Sequence, residues 1–280
     1  MRARRRLAAA TLAFAALAPA AAVAAGGADA GGWRAREIRR FAAEEARQAV
    51  AVDALHVYAI DDRRIGKYAK ATGRRVASFR APEGGGIAHL NGGVVVAGRL
   101  VCAHSNYPAL PMRSSLEVFD AGSLAHLESR PLEIGDGSAT WALPHGGGYW
   151  VAFANYAGRG GAPGRGPEAS FVARLDTALR SLGRLRFPPE VVRRFGTRSS
   201  SGASFGPGGL LFATGHDAPE LWVLRAPAAG DALELVAIVP APIAGQGIAF
   251  DPAEPDVLWA VRRASRELVA LRIAAPDGVR

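Results

Sequence analysis

A short pattern that recurs five times along the chain limits its fold more than any other feature. The copy at residues 211–217 reads LFATGHD: an apolar strand core, an alanine, and polar residues where the strand ends. The same order of positions is found at residues 58–62, 102–106, 151–155 and 259–263. Their alanines, Ala59, Ala103, Ala152, Ala213 and Ala260, are 44, 49, 61 and 47 residues apart. This range of spacing is typical of repeated supersecondary units.

Each repeat contains several short strand-like runs. In the first repeat, apolar runs at 49–53, 55–60, 65–68 and 76–79 are separated by turn residues, which predicts four antiparallel strands. The 34 glycines and 18 prolines fit many tight turns, and the repeats occupy nearly all of the chain. We therefore predict an all-β fold: one five-bladed β-propeller domain, residues 26–280, with four-stranded antiparallel blades.

The two ends of this domain predict how the ring closes. The last repeat stops one strand short, and residues 33–43 precede the first repeat without a repeat of their own. Because an open ring would leave strand edges unpaired, we expect the N-terminal segment to supply the outer strand of blade five. The alternative is a short capping helix, since AAEEA at 42–46 favours helix.

Residues 1–25 are predicted to be a signal peptide. Four arginines precede an apolar run that is too short to span a bilayer, so we expect a periplasmic or secreted protein without a membrane span. Without those arginines the net charge of +9 falls to +5, and the remaining basic residues are scattered, which does not favour nucleic-acid binding. The single cysteine, Cys102, excludes an internal disulfide and is predicted to be a core residue. We also expect the protein to be a monomer.

The first strands of the blades show two further columns. One column is predicted to be small because it faces the crowded centre of the ring: Ala51, Ala88, Thr140, Ser204 and Ala249. The next column is mostly bulky and is predicted to point between blades: Val52, His89, Trp141, Phe205 and Phe250.

Polar residues at the ends of the second strands are the candidate site. Links from second to third strands emerge on the rim where the chain enters each first strand, so these residues should form a ring around one mouth of the central channel: Asp62, Asn106, Asn155, His216 and Arg263. Strand ends are also polar simply because they meet water.

The chemistry of this ring suggests two ligands. Asp62, Asn106 and Asn155 with His216 offer the oxygen-rich set that Ca²⁺ or another hard divalent cation prefers. Arg263 and the adjacent Arg262 favour a small anionic molecule, with Tyr107, Tyr156 and Gln246 as further substrate-binding candidates. His104 or His216 would then act as the catalytic acid or base. The glycine-rich stretch at 158–166 lacks the Lys-Ser/Thr of a phosphate loop, so we expect no nucleotide cofactor.

Three segments resemble a group of exported bacterial propellers, mostly uncharacterised, of which some are labelled cycloisomerases. These segments are HSNY at 104–107, ATGHD at 213–217 and AGQGIAFD at 244–251. The candidate ring is also similar to the metal site of gluconolactonase-like propellers, although those have six blades and a Glu where Asp62 stands, and lack an arginine at the place of Arg263.

The resemblance and the residues lead to one expected function and two alternatives. We expect a protein that binds a small anion at the channel mouth and forms or opens a lactone. The first alternative is a non-catalytic ligand-binding or protein-interaction scaffold of the cell envelope. The second is a glycoside hydrolase, which would use a pair of carboxylates among Asp61, Asp62 and Asp217.

Overall fold

The computed structural model describes residues 32–279 and arranges them as five four-stranded antiparallel sheets. The sheets follow one another along the chain, and their first strands are neighbours around a common centre. The fold is therefore a five-bladed β-propeller, which confirms the predicted fold class. The predicted signal peptide, residues 1–25, lies outside the described residues.

The strands of each blade are as follows. Blade one contains β2 (Ala49–Val52), β3 (His56–Asp61), β4 (Arg64–Ala69) and β5 (Arg75–Arg80). Blade two contains β6 (His89–Val96), β7 (Arg99–Ser105), β8 (Ser114–Asp120) and β9 (His126–Leu132). Blade three contains β10 (Ser138–His145), β11 (Gly148–Ala154), β12 (Phe171–Leu175) and β13 (Ser181–Arg186). Blade four contains β14 (Gly202–Phe205), β15 (Leu211–Thr214), β16 (Glu220–Arg225) and β17 (Glu234–Pro240), and blade five contains β18 (Ile248–Phe250), β19 (Val257–Arg262) and β20 (Glu267–Ala274).

Blade five is completed by the N-terminal strand β1 (Arg34–Ala42). This strand pairs antiparallel with β20, from Arg34 opposite Ala274 to Ala42 opposite Glu267. Pairing the first strand with the last covers the edge that blade five would otherwise expose. The predicted N-terminal strand is thus confirmed, and residues 44–47, where a capping helix was the alternative, form a turn.

The core consists of separate apolar clusters between neighbouring blades. One cluster joins blades three and four, and similar clusters join blades four and five, five and one, one and two, and two and three. The five alanines that mark the repeats all lie in second strands and are at most 1% exposed. Cys102 is fully buried between blades one and two, as predicted for a core residue.

The predicted column of small inner residues is correct in three blades and wrong in two. Ala51, Ser204 and Ala249 each pair with the residue before the marker alanine, but the residues at this register in blades two and three are Gly93 and Ala142. The reason is a bulge in each of these first strands, between Leu90 and Gly93 and between Ala139 and Trp141. The residues of the corrected column are still small in every blade. At Gly93 there is no room for a side chain, since a Cβ would lie 2.7 Å from the Ile60 side chain.

Few residues are helical. A short helix α1 (Pro189–Val192) lies between β13 and β14, and single 3-10 turns occupy Pro167–Ala169 and Pro207–Gly209. Within residues 32–279 no helix is long and apolar enough to cross a membrane.

Candidate functional site

One mouth of the ring contains a polar cavity of about 260 Å³, which we call the mouth pocket. Most of its walls come from the links that enter first strands and from the links between second and third strands. His89, Asn91 and Thr140 come from first strands, and all five blades contribute. The principal polar side chains around it are Arg47, Gln48, Asp62, His89, Tyr107, Tyr156, Arg159, Arg198, Ser201, His216, Gln246 and Arg263. Residues from both ends of the described chain therefore meet in one concave site.

The predicted site residues fall into two groups. Those that line the mouth pocket are Asp62, Tyr107, Tyr156, His216, Gln246 and Arg263. Those that lie outside it are His104, Asn106, Asn155 and Arg262.

His104 is a buried residue behind the pocket. Its Nε2 accepts a hydrogen bond from the Ala88 backbone N–H at 2.9 Å, and its Nδ1 lies 2.8 Å from Ser115 Oγ. Burial lowers the pKa of His104, although the nearby Glu117 carboxylate opposes this effect. Because both ring nitrogens have protein partners and His104 does not line the mouth pocket, the geometry does not support its predicted catalytic role.

The two asparagines of the predicted metal site lie outside the pocket as well. Asn106 closes its own loop, since its Oδ1 accepts from the Arg113 N–H at 2.8 Å and its Nδ2 donates to the Pro111 carbonyl. Asn155 is buried beside a separate hollow, where its Nδ2 donates to the Asp136 carbonyl at 2.8 Å.

The predicted ligands of a divalent cation are therefore not assembled around one point. Asp62 and His216 reach the mouth pocket without the two asparagines. Among the described residues no group of three or more His, Cys, Asp or Glu side chains could hold a metal ion. Because the predicted set is divided between three places, the geometry gives the proposed Ca²⁺ site no support.

Arg262 contributes to ring closure. Its guanidinium lies 2.8 Å from a Glu37 carboxylate oxygen of β1 and 3.3 Å from Glu267 of β20, and it donates to the Pro242 carbonyl. These bonds connect the N-terminal strand to blade five. The prediction that Arg262 binds substrate is therefore corrected, because its donors are directed away from the pocket to protein acceptors.

An imidazole and a carboxylate form a close pair on one wall of the pocket. His89 Nδ1 lies 2.6 Å from Asp62 Oδ1, and Gln48 Nε2 donates to the same oxygen at 2.7 Å. Burial disfavours a charge on Asp62, but these two bonds and the Arg47 charge lower its pKa overall. Asp62 is therefore ionised at neutral pH, and the N–H of His89 is on Nδ1.

A second pair on the pocket wall is His216 of blade four and Arg263 of blade five. Arg263 Nη1 lies 3.1 Å from His216 Nε2, and His216 Nδ1 lies 2.6 Å from Asp217 Oδ1. Burial lowers the pKa of His216, with Arg198 and Arg263 acting in the same direction and Asp217 opposing. His216 is therefore neutral, with its lone pair facing Arg263, and it is a poorer candidate for the proton carrier than His89.

Arginine is the dominant charge of the pocket. Burial, followed by repulsion from Arg47 and Arg198, lowers the pKa of Arg263 in spite of attraction by Asp62. Within residues 32–279, Arg159, Arg198 and Arg263 make no ion pair with a carboxylate. Arg47 Nε lies 3.6 Å from Asp61 Oδ1. The pocket is therefore strongly positive.

Two tyrosines and a glutamine complete the walls. The Tyr107 ring lies 5.0 Å from the His89 ring and 5.1 Å from the Tyr156 ring. Burial raises the pKa of Tyr156 to about 12, so its hydroxyl remains protonated. Gln246 has a φ of 70°, a left-handed conformation that is unfavourable for a side chain of this kind, and its Nε2 donates to the His216 carbonyl at 2.8 Å.

The carboxylates expected for a glycoside hydrolase are not grouped. Of the acidic residues in the described part of the chain, Asp62 alone lines the mouth pocket. Asp61 is ion-paired with Arg64 at 2.7 Å, and the Asp217 side chain is 79% exposed. A pair of carboxylates facing each other across the pocket is therefore not present in this arrangement.

Sequence reasoning missed His89 and the arginines Arg47, Arg159 and Arg198. His89 was predicted to point between blades because the bulge in β6 was not recognised. Arg47 and Arg198 lie close to Gln48 and Ser201, in the links that enter first strands. Those links were predicted to reach the mouth, so a survey of their charged residues would have found both arginines.

Fold and pocket together define a five-bladed β-propeller with a basic mouth. No protein-family model and no curated protein matches the chain. Among solved structures, a crystal structure of RRP9 WD40 repeats is similar, with a TM-score of 0.46 and 12% identity over 89% of this chain and 99% of that chain. A likeness of this degree implies nothing about what the pocket binds, and the resemblance to exported bacterial propellers stays a prediction.

Proposed function

We propose that this protein is an exported five-bladed propeller that binds a small, carboxylate-bearing anion in its mouth pocket. The observation that carries the proposal is the pair of partly buried guanidinium groups of Arg198 and Arg263, neither of which has a carboxylate partner within residues 32–279. Export rests on the predicted signal peptide at residues 1–25.

The physical reason is charge balance. Arginines that are removed from water are normally paired, because an unpaired buried charge is costly. Here the repulsion among Arg47, Arg198 and Arg263 adds to that cost, as the lowered pKa of Arg263 indicates. A carboxylate would accept paired N–H donors from a planar guanidinium and so remove both costs.

The shape of the site favours a small ligand over a protein partner. The donors line a concavity of about 260 Å³ rather than a flat face, and a protein partner would leave most of that surface unfilled. The scaffold alternative is therefore weaker than binding of a small molecule.

Calorimetric titration with citrate, using acetate for comparison, tests the proposal. Replacing Arg198 by Gln removes one charged donor and should weaken citrate binding by about 10- to 100-fold. The matched control is Arg225→Gln, whose side chain is 60% exposed and 3.7 Å from Glu234 on the outside of blade four. If none of the anions binds, or if both variants change affinity equally, the proposal is wrong.

A catalytic role on a lactone or cyclic carboxylate is the second candidate. It is favoured by one observation: the His89 imidazole, held by Asp62 at 2.6 Å, lines the same pocket as the arginines. A histidine positioned in this way is suited to proton transfer on an ester or lactone whose carboxylate is held by Arg263. Hydrolysis of carboxylate-bearing lactones that is lost in His89→Asn but retained in His56→Asn would support it, and absence of turnover for lactones that bind would refute it.

A further inference from the structure

The charge of the mouth pocket is too large for a single carboxylate to balance. Four guanidinium groups line it, from Arg47, Arg159, Arg198 and Arg263, against one carboxylate of the described lining, Asp62. Behind the lining, Asp61 lies 3.6 Å from Arg47 and Asp217 attracts Arg263, which leaves the site with a net positive charge. The Asp62 carboxylate already accepts two hydrogen bonds on Oδ1. A ligand with one negative charge would leave most of the repulsion among the arginines in place, whereas a ligand with two or three would remove it.

The size of the cavity limits the ligand as well. Pockets for drug-sized molecules run from about 300 to 1,000 Å³, and this one has about 260 Å³. The acidic groups of a ligand that fits must therefore be close together on a short skeleton or on one phosphorus-containing group.

His89 adds a donor whose presence depends on a proton. With Nδ1 held at 2.6 Å by the ionised Asp62, Nε2 is the free position of the ring, and no hydrogen bond engages it within the described part of the chain. An unprotonated Nε2 presents a lone pair, which repels an anion. A protonated Nε2 presents an N–H donor and a positive charge, which attract one.

The surroundings of His89 allow this protonation to be linked to binding. Asp62 stabilises an imidazolium directly, and the Tyr107 ring packs beside the imidazole at 5.0 Å. Behind it the buried His104 is neutral, because burial lowers its pKa. The other charged groups that face His89 across the pocket are Arg47, Arg159, Arg198 and Arg263. These arginines would repel a charged imidazole, and a bound polyanion lies between the two and removes that repulsion.

We propose that the ligand of the mouth pocket is a compact oxyanion with at least two acidic groups, and that His89 becomes protonated as it binds and donates Nε2–H to it. This inference rests on the proposed anion-binding function and names its ligand class. Polycarboxylates and small phosphates share the required chemistry.

Calorimetry with the full chain tests the inference. Citrate and pyrophosphate are titrated at pH 7.5 in two buffers of different ionisation enthalpy, since the difference in apparent heat gives the number of protons taken up. Acetate serves as the monovalent comparison. We expect net proton uptake with citrate, which is almost fully ionised at this pH, and pyrophosphate is compared by affinity alone because it carries a proton of its own. Acetate should bind at least about 10-fold more weakly than either polyanion.

Two variants assign the proton. In His89→Asn the uptake should disappear and the affinity should fall about 10- to 100-fold. The matched control is His56→Asn, because the His56 imidazole also lies beside a carboxylate, 3.2 Å from Asp53 Oδ1, but on the opposite rim. It should retain both uptake and affinity. Asp62→Asn keeps the imidazole and should reduce the uptake, which covers the case in which His89→Asn fails to fold.

The outcomes separate this inference from the proposed function. Citrate binding without proton uptake, or uptake that survives in His89→Asn and is lost in His216→Asn, would overturn the role of His89 and leave anion binding intact. Acetate binding as tight as citrate binding would overturn the polyvalent class. A preference for pyrophosphate over citrate would support the polyvalent oxyanion class and overturn the carboxylate named in the proposed function. Failure of every anion to bind would overturn the proposed function itself.

Discussion

Replacing Arg263 by Gln should stabilise the ligand-free protein and weaken its response to an anion. Arg263 is partly buried, and its pKa is lowered by burial and by repulsion from Arg47 and Arg198, which exceeds the attraction of Asp62. Its charge is therefore unfavourable for folding, and a residue retained at such a cost is expected to serve the site instead.

The magnitude follows from the size of the pocket. A sphere of 260 Å³ is about 8 Å across, and two charges at that separation repel by about 0.5 kcal/mol in water and about 2 kcal/mol at an effective dielectric constant of 20. Arg263→Gln removes the repulsion of Arg263 by its neighbouring arginines, less its attraction to Asp62. The free energy of unfolding should therefore rise by about 1 kcal/mol, or the Tm by about 2–4 °C.

Citrate should show the opposite effect. At 100 times its Kd, citrate adds about 2.7 kcal/mol to the stability of the wild-type protein. Loss of one charged donor, about 2 kcal/mol, raises the Kd about 30-fold, so the same citrate concentration adds only about 0.9 kcal/mol in Arg263→Gln.

Thermal melting with and without citrate measures both effects. Arg225→Gln, an exposed arginine on the outside of blade four, controls for loss of charge alone and should change neither quantity. The reasoning is refuted if Arg263→Gln lowers the ligand-free Tm by several degrees, which would make Arg263 a structural residue, or if the citrate-induced shift is unchanged.

Two further predictions concern the stability of the fold, and a third concerns the predicted metal site. Trp33→Ala should lower the free energy of unfolding in urea by about 3–5 kcal/mol, because Trp33 is 2% exposed and packs on Phe212 with ring centroids 5.2 Å apart. A loss below about 1 kcal/mol would contradict its place in the apolar cluster between blades four and five. Acid should destabilise the protein in two stages. Burial holds the folded pKa of His104 below its unfolded value of 6.5, so stability falls as the pH drops below about 6.5. Burial opposes the charge on Glu117, but hydrogen bonds from Ser115, Ser129 and His126 hold its pKa below 4.5, so its contribution is present above about pH 4.5 and lost below. Urea unfolding across this range should show a flatter acid limb in Glu117→Gln, and an unchanged slope would contradict the assignment. Calcium or a chelator should leave the Tm unchanged, since Asn106 and Asn155 are engaged elsewhere; a clear calcium-dependent rise would restore the metal site.

The repeat pattern predicted the architecture because it reports on packing. The marker alanines are fixed by crowding between blades, and that constraint is local enough to be read from residues 58–62 or 211–217. The closing strand could be predicted in the same way. Counting the strands of the last repeat shows that blade five lacks one, and its unpaired edge needs a partner.

The site was predicted less well because it depends on details of one or two residues. A bulge moved His89 from the space between blades to the pocket. Asn106 and Asn155 end their strands as predicted, but local hydrogen bonds turn their amides away. Arg262 and Arg263 are adjacent in sequence, yet one closes the ring and the other faces the ligand. Side-chain direction of this kind is set by tertiary partners that the sequence pattern does not report.

A crystal structure of the protein with citrate at about 100 times its Kd tests the central claim most directly. The account predicts citrate in the mouth pocket, with its carboxylates accepting hydrogen bonds from Arg198 and Arg263 and with His89 Nε2 in contact. The crystals are grown from protein that calorimetry has already shown to bind citrate. Citrate bound elsewhere, with none in the mouth pocket, would contradict the account.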